Sequence, residues 1–311
     1  MSEFEAWIGR LQTSTDRLDE AHAERWLATF DLDRPSRPLP PPFHPEPTGT
    51  QSGWKGGGRG RPGTQREMPQ GIHFALCTPD APTDNLGEDG HPARDDSAES
   101  FLPPFPMPRR MWASSTIQFV APLAIGATIA RTSRIASISE KEGSSGKLAF
   151  VNVEHETSAD GALAVRETQT LVYRDAAAAD APLSPSSAGD GAFDPSEWAT
   201  SRTLTPDPRL LFRYSALTFN THRIHYDAPY AERIERYRGL VVHGPLTASL
   251  LLQLAASELG ENKLSTFAFR GMSPAIAGEP LHLVMRQSED GFELGAFADD
   301  GRHVMKASAS V

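Results

Sequence analysis

The chain has 311 residues, a formal net charge of −10, a 39% hydrophobic share, and 26 prolines with 25 glycines. That length suits two domains of ordinary size, and the modest apolar share still allows a packed core if long loops carry the proline and glycine. The acidic balance argues against a nucleic-acid or anionic-membrane binder, and the single cysteine, Cys77, permits neither an internal disulfide nor a thiolate metal cluster and fits a reducing cytoplasm.

The opening residues, MSEFEAWIGRLQ, hold acids and no apolar signal core. From Asp16 to Phe30, apolar residues at Leu18, Ala21, Trp26, Leu27 and Phe30 approach helical spacing with acids early, which predicts a helix. From Asp33 to about Ser100 the chain is rich in Pro, Asp and Gly and reads as a long irregular excursion, partly packed and partly mobile. Its GGGRGRPG run at 56–63 has no strand before it and no helix pattern after it, so a loop is favoured over a phosphate cradle or an Arg/Gly nucleic-acid tail.

Beyond a proline-stiffened approach at 101–112, strands are predicted near 115–120, 128–139, 147–157 and 163–173, separated by the turns EKEGSSGK and SADGA. The second alternates most plainly, with Ile129, Arg131, Ser133, Ile135 and Ser137 on one parity. One helix followed by consecutive long strands predicts an antiparallel sheet wrapped against a helix. Residues 175–197, rich in Ala, Pro, Ser and Asp, read as a linker. A second unit follows: a strand near 200–205, a helix at 207–217, a histidine-bearing loop, an apolar helix at 245–259, and strands near 264–271, 281–287, 293–298 and 303–310. The apolar helix is interrupted by Thr247, Ser249, Gln253 and Ser257 and is too short to span a bilayer, so a soluble protein is expected. Two α+β units in tandem is the architecture expected.

The stretch from Phe212 to Leu259 carries the chemistry. His222 and His225 lie three apart in a polar run, and the apolar run Gly239 to Val242 leads into His243-Gly244-Pro245 and the apolar helix. Titratable groups followed by a glycine at a helix N-terminus are the order wanted for proton transfer beside an anion-stabilising amide. A plain polar loop is the ordinary alternative for such a histidine pair. A metal held by His222, His225 and Asp227 uses suitable donors, but the spacing matches no standard site and no metal is expected.

Residues 212–259 resemble the active-site half of the MaoC-like enoyl-CoA hydratase family, whose motif runs aspartate, any residue, asparagine, proline, any residue, histidine. Aligned on its final histidine, this chain reads Asn220-Thr221-His222-Arg223-Ile224-His225. The catalytic histidine position is then His225, and the catalytic aspartate position is held by Asn220, an amide that cannot act as a general base. GLVVHGPLTASL at 239–250 is similar to the segment entering the central helix, and FRGMSPAIAGEPL at 269–281 to the strand, loop and strand that follow. NLGEDGHP at 85–92, FLPPFPMPRRMW at 101–112 and SEKEGSSGKLAFVNVEHE at 139–156 resemble the N-terminal hotdog of a two-domain subgroup that contains mesaconyl-CoA hydratases and mitochondrial-type 3-hydroxyacyl-thioester dehydratases.

The resemblance implies an α+β tandem (double) hotdog, each half a curved antiparallel sheet around a long helix. Residues 1–174 would be a non-catalytic N-terminal hotdog with an insertion at about 33–100, and 198–311 the C-terminal hotdog bearing the active site. It implies reversible hydration of an α,β-unsaturated acyl-CoA, a short dicarboxylyl group such as mesaconyl or itaconyl, with no cofactor and no metal. His225 would be the base, Asn220 would orient water or His225, and the Gly244 amide would polarise the thioester carbonyl. His222, Arg223, Tyr226, His243, Arg213 and Arg270 are the candidates for supporting His225 or binding substrate. A 3-hydroxyacyl-ACP dehydratase, a thioesterase and a non-catalytic acyl-CoA binder are the other readings. No nucleic-acid or membrane partner is expected, and a homodimer of double hotdogs is.

Overall fold

The computed structural model describes residues 4–32, 66–143, 146–186 and 192–311. The glycine-rich run at 56–63 lies outside the described residues. The strands are β1 (Leu11–Arg17), β2 (Arg109–Phe119), β3 (Thr128–Gly143), β4 (Gly146–Ala159), β5 (Ala162–Arg174), β6 (Thr200–Leu204), β7 (Thr266–Gly271), β8 (Leu281–Ser288), β9 (Gly291–Ala298) and β10 (His303–Ser310). The helices are α1 (Glu20–Thr29), α2 (Pro208–Leu217), α3 (Ala228–Arg233) and α4 (Gly244–Leu259).

All ten strands form one sheet, in the order β1-β3-β4-β5-β2-β7-β10-β9-β8-β6. The two halves of the chain join through antiparallel pairing of β2 with β7, which sets Ser115 opposite Phe269 and Ile117 opposite Phe267. Alternation sends these four residues inward, where all are buried. Inside the curve lies α4, buried on nearly every side by Leu246, Ala248, Leu250, Leu251, Leu252, Leu254 and Ala255, as its almost unbroken apolar composition requires. Its core is shared by both halves: Leu251 and Phe267 belong to the same apolar cluster as Trp26, Ile72 and Ile117.

The first half departs from the expected long helix. Asp19 caps α1 by accepting a hydrogen bond from the His22 N–H at 2.7 Å, so the helix starts at Glu20, and the residues before it are the edge strand β1. That strand, LQTSTDR, has no buried face, so alternation of polarity could not announce it. With α1 only ten residues long, a 3-10 turn at Ile72–Ala75 and the buried Met68 and Leu76 fill the rest of the first half's core. Thus the part of the 33–100 excursion that is described, from residue 66 onward, is structural.

Of the 175–197 run, Ser184 bridges to Tyr237, and the Phe193 ring stacks on His282 at 4.5 Å, which holds these residues against the second half. Among the described residues no helix is long and apolar enough to cross a membrane.

Candidate active site

The site forms where the loop after α2 meets the N-terminus of α4. Asp207 caps α2 with Pro208 in its first turn, and the helix ends at Leu217. The chain then turns through Phe219 at φ +48°. The Asn220 side-chain oxygen accepts the His222 N–H at 2.9 Å, and the Asn220 N–H donates to the Ser215 carbonyl at 2.9 Å. A short side chain bonding two residues on is a turn device that competes with regular structure. A 3-10 turn, Arg223–His225, follows, and Asp227 caps α3 by accepting the Tyr230 N–H at 3.1 Å. A small apolar cluster of Ile224, Tyr230, Ala231, Tyr237, Val241 and Ile276 anchors this loop from below. Each large member buried there contributes on the order of 1.5–3 kcal/mol.

Four imidazoles meet across this loop. His225 stacks on His243 with ring centres 3.5 Å apart and planes 20° apart. His222 stands edge-on to His225 at 5.4 Å, and His91 lies against His222 at 4.0 Å. His225 Nδ1 is 2.7 Å from the Val241 carbonyl oxygen. A carbonyl only accepts, so Nδ1 carries the hydrogen and the Nε2 lone pair is left free as a base. His243 Nε2 is bonded to the Ser215 hydroxyl at 2.9 Å, and its Nδ1 is buried with no hydrogen-bond partner among the described residues.

Burial, and next the neighbouring His222, push His225 down to about 3, against the opposing pull of the Val241 carbonyl. His222 is likewise lowered to about 3, by burial first and then by His91, with Asp89 opposing. Burial, then His225, places His243 well below the ordinary imidazole value. All three are therefore neutral near pH 7.

The N-terminal half closes one side of the loop. The Arg223 N–H donates to the Asp89 carbonyl at 2.8 Å, and the Thr221 hydroxyl donates to the Gly90 carbonyl at 2.5 Å. Gly90 sits at φ +87°, and a Cβ there would lie 1.9 Å from the Thr221 carbonyl oxygen, so this contact demands glycine. Asp89 Oδ2 pairs with His91 Nδ1 at 2.8 Å.

At the other side α4 begins at Gly244, with His243 as N-cap and no side-chain cap, which leaves the first N–H groups of the helix without a capping side chain. A Cβ on Gly244 would be 3.9 Å from the Trp112 carbonyl oxygen, which marks how closely β2 approaches.

The structure thus gathers His222, His225, His243 and Gly244. Asn220 belongs to the loop, and its side-chain oxygen accepts the His222 N–H, which fixes the turn that presents the histidines. Arg223 pairs with Asp227 at 2.7 Å and lies over the Tyr230 ring at 4.0 Å. Tyr226 is 51% exposed.

Two arginines stand apart. Arg213 donates to the Ala28 carbonyl at 3.1 Å and lines a separate surface pocket of about 450 Å³ with Arg202, Arg209 and Gln253. Arg270 is exposed on β7, on the face opposite its inward neighbours Phe267 and Phe269.

Asp89, His91 and Arg110 went unassigned in the sequence, although NLGEDGHP and PMPRRMW carry them. For Asp89 and His91 the signal was a contact across about 130 positions, which no local pattern shows. The donor atoms of Asp89, His91 and His222 lie within 4.8 Å of one another. Asp89 and His91 are engaged with each other, and the His91 ring lies tilted by 34° against His222. The trio is a hydrogen-bonded dyad set against a third ring.

One ten-stranded sheet around a buried helix, with a row of imidazoles beside that helix's N-terminus, has the double-hotdog architecture, and the comparison with known families makes it a hydro-lyase. The model of the family hydroxyacyl-thioester dehydratase type 2 matches residues 71–277, and the chain belongs to that family. It is 37% identical over 310 residues to mesaconyl-C(4)-CoA hydratase of Chloroflexus aurantiacus, covering 100% of this chain and 98% of that one. Among solved structures it resembles a MaoC-like dehydratase of Phytophthora capsici (TM-score 0.61, 12% identity, 97% and 95% of the two chains). It also resembles a double-hotdog protein of Mycobacterium tuberculosis (TM-score 0.53, 13% identity, 97% and 95%).

Proposed function

We propose that the protein adds water reversibly across the α,β double bond of an acyl-CoA thioester, and that the acyl group is a short dicarboxylyl such as mesaconyl, giving citramalyl-CoA. The observation that carries this reading is His225, its Nδ1 hydrogen pinned to the Val241 carbonyl and its Nε2 free beside the start of α4.

Nε2 takes a proton from water as the water oxygen bonds to the β-carbon. Negative charge moves to the thioester oxygen, where the Gly244 N–H and the positive end of α4 receive it. A buried neutral imidazole resists protonation alone, but a developing enolate beside it offsets the cost, so proton transfer and charge development are coupled. Asn220 holds the loop that presents His222 and His225. Arg110 of β2, whose charge is felt at His222 and whose side chain bonds Tyr173, is the cation we assign to the free carboxylate of a dicarboxylyl substrate. The 37% identical full-length relative supports the mesaconyl assignment. The single cysteine supports a cytoplasmic setting. Pairing of two chains into a homodimer is read out by the particle mass in solution.

The test is a hydration assay that follows enoyl-thioester absorbance with mesaconyl-CoA, itaconyl-CoA and crotonyl-CoA in parallel. Turnover of a dicarboxylyl substrate is expected, with His225→Ala lowering kcat by at least about 100-fold. Turnover of crotonyl-CoA alone would reject the dicarboxylyl assignment. Silence on all three CoA esters, with turnover of an acyl-carrier-protein thioester, would reject CoA as the carrier.

A further inference from the structure

The loop around His225 has a base and, in His222, an imidazole that can pass a proton on, but no carboxylic acid to supply one, because an amide stands at position 220 and its oxygen accepts the His222 N–H. A carrier is present on the other half of the chain. The Asp89 carboxylate grips His91 twice, accepting its backbone N–H at 3.0 Å through Oδ1 and facing ring Nδ1 at 2.8 Å through Oδ2. The pair is open to solvent, with side chains 21% and 27% exposed for His91 and Asp89, whereas His225 and His243 are buried. The nearest donor atoms of the Asp89, His91 and His222 trio lie within 4.8 Å of each other. One water, with two hydrogen bonds of about 2.8 Å each, spans that gap. The cluster is therefore graded, from a carboxylate-backed imidazole at the rim, through His222, to the His225–His243 stack at the floor.

We propose that the Asp89–His91 pair of the N-terminal half is the second proton-carrying centre of this site and supplies, through His222, the proton that a carboxylic acid at position 220 would supply. This rests on the hydration reading and gives it a balanced cycle. His225 Nε2 removes a proton from water as the C–O bond forms at the β-carbon and the π pair moves toward the thioester carbonyl. The enolate collapses by forming a C–H bond at the α-carbon with the N–H proton of neutral His222, while the proton that the Asp89–His91 pair carries at the start of the cycle passes to the other His222 nitrogen and leaves that ring neutral. After product release the proton on His225 returns to His91 through water, and the net change is one water added. In dehydration every transfer runs backward.

Burial alone would raise the Asp89 carboxyl, but its bond to His91 outweighs this and holds it down to about 2, so it stays ionised beside His91. The other charges around the pair are Glu235, which Arg109 engages at 2.8 Å, and Arg110. His91 and Asp89 are positioning residues, acting on substrate only through His222.

The test measures kcat, KM and melting temperature of the wild type, His91→Ala and Asp89→Asn, with and without added imidazole. His91→Ala is expected to lose about 100-fold in kcat with KM changed less than about threefold, and imidazole in the medium is expected to restore kcat in proportion to its concentration. Asp89→Asn, nearly isosteric and safe for the fold, is expected to lose at least about tenfold in kcat without rescue. Wild-type kcat in either variant overturns the proposal. So does a loss in His91→Ala that imidazole leaves untouched while KM rises or the melting temperature falls. If His225→Ala is dead and these variants are active, only this proposal falls. If the wild type hydrates no enoyl thioester, the hydration reading falls with it.

Discussion

At the residue scale, a backbone carbonyl decides how His225 is used. The imidazole alone has two interchangeable tautomers, and the bond from Nδ1 to the Val241 oxygen selects the one whose Nε2 is a base. The motif N-T-H-R-I-H marked His225 in the sequence, but not the carbonyl 16 positions later that orients it. Gly90 is a similar case. Nothing local distinguishes it from a turn glycine, yet the left-handed backbone and the 1.9 Å approach of a Cβ to the Thr221 carbonyl leave no room for a side chain. Gly90→Ala is expected to cost at least about 1–2 kcal/mol from the backbone alone. Relief of the clash should also pull Asp89 and His91 away from His222. Urea unfolding and kcat measured together check this, and an alanine variant with wild-type values of both would refute the contact.

At the element scale, the features that local sequence encodes are legible and those set by distant contacts are not. The strands from Thr128 to Arg174 announced themselves by alternation because one face is buried and the other is not. Helix α4 announced itself by its apolar run behind Gly244-Pro245. Strand β1 and the true start of α1 did not, because β1 exposes both faces and the boundary is set by the Asp19 cap.

The elements are then locked by polar contacts of long reach. Arg109 on β2 pairs with Glu235, just after α3, with Nε to Oε2 at 2.8 Å, both side chains being buried. Removing one partner of such a pair strands the other charge. Glu235→Leu is expected to lower stability by about 3–5 kcal/mol and the double variant Arg109→Met/Glu235→Leu by much less. Denaturant midpoints of the three proteins decide it, and equal losses in the single and double variants would sink it.

For the whole molecule, the buried imidazoles make acid the vulnerable side. His73, His222 and His225 are each lowered to about 3, His155 to about 4, and His243 well below its ordinary value, with burial the leading cause in all five. Each binds a proton less readily in the folded chain than in the unfolded one, so stability is full above about pH 6.5 and falls as pH drops toward the folded values. Each group contributes about 1.4 kcal/mol per pH unit across its window. Glu167 and Glu235, raised first by burial, act in the opposite sense and offset part of the loss. The melting temperature is expected to hold from pH 8 to about 6.5 and to fall steeply by pH 5. A flat profile from pH 7 to 5 in calorimetry would contradict the buried, neutral row.

The sequence alone determined the kinds of elements and their order, the acidic balance, the histidine loop, and the glycine that opens the buried helix. These follow from local periodicity, composition and turn chemistry. Only the tertiary structure decided that β2 pairs with β7 to make one sheet, that Asp89 and His91 reach His222, and that His225 is held by Val241. Each of these joins residues far apart in the chain or fixes a proton by a backbone group. Such contacts depend on how the core of both halves closes around α4, and a residue's near neighbours in sequence carry no trace of them.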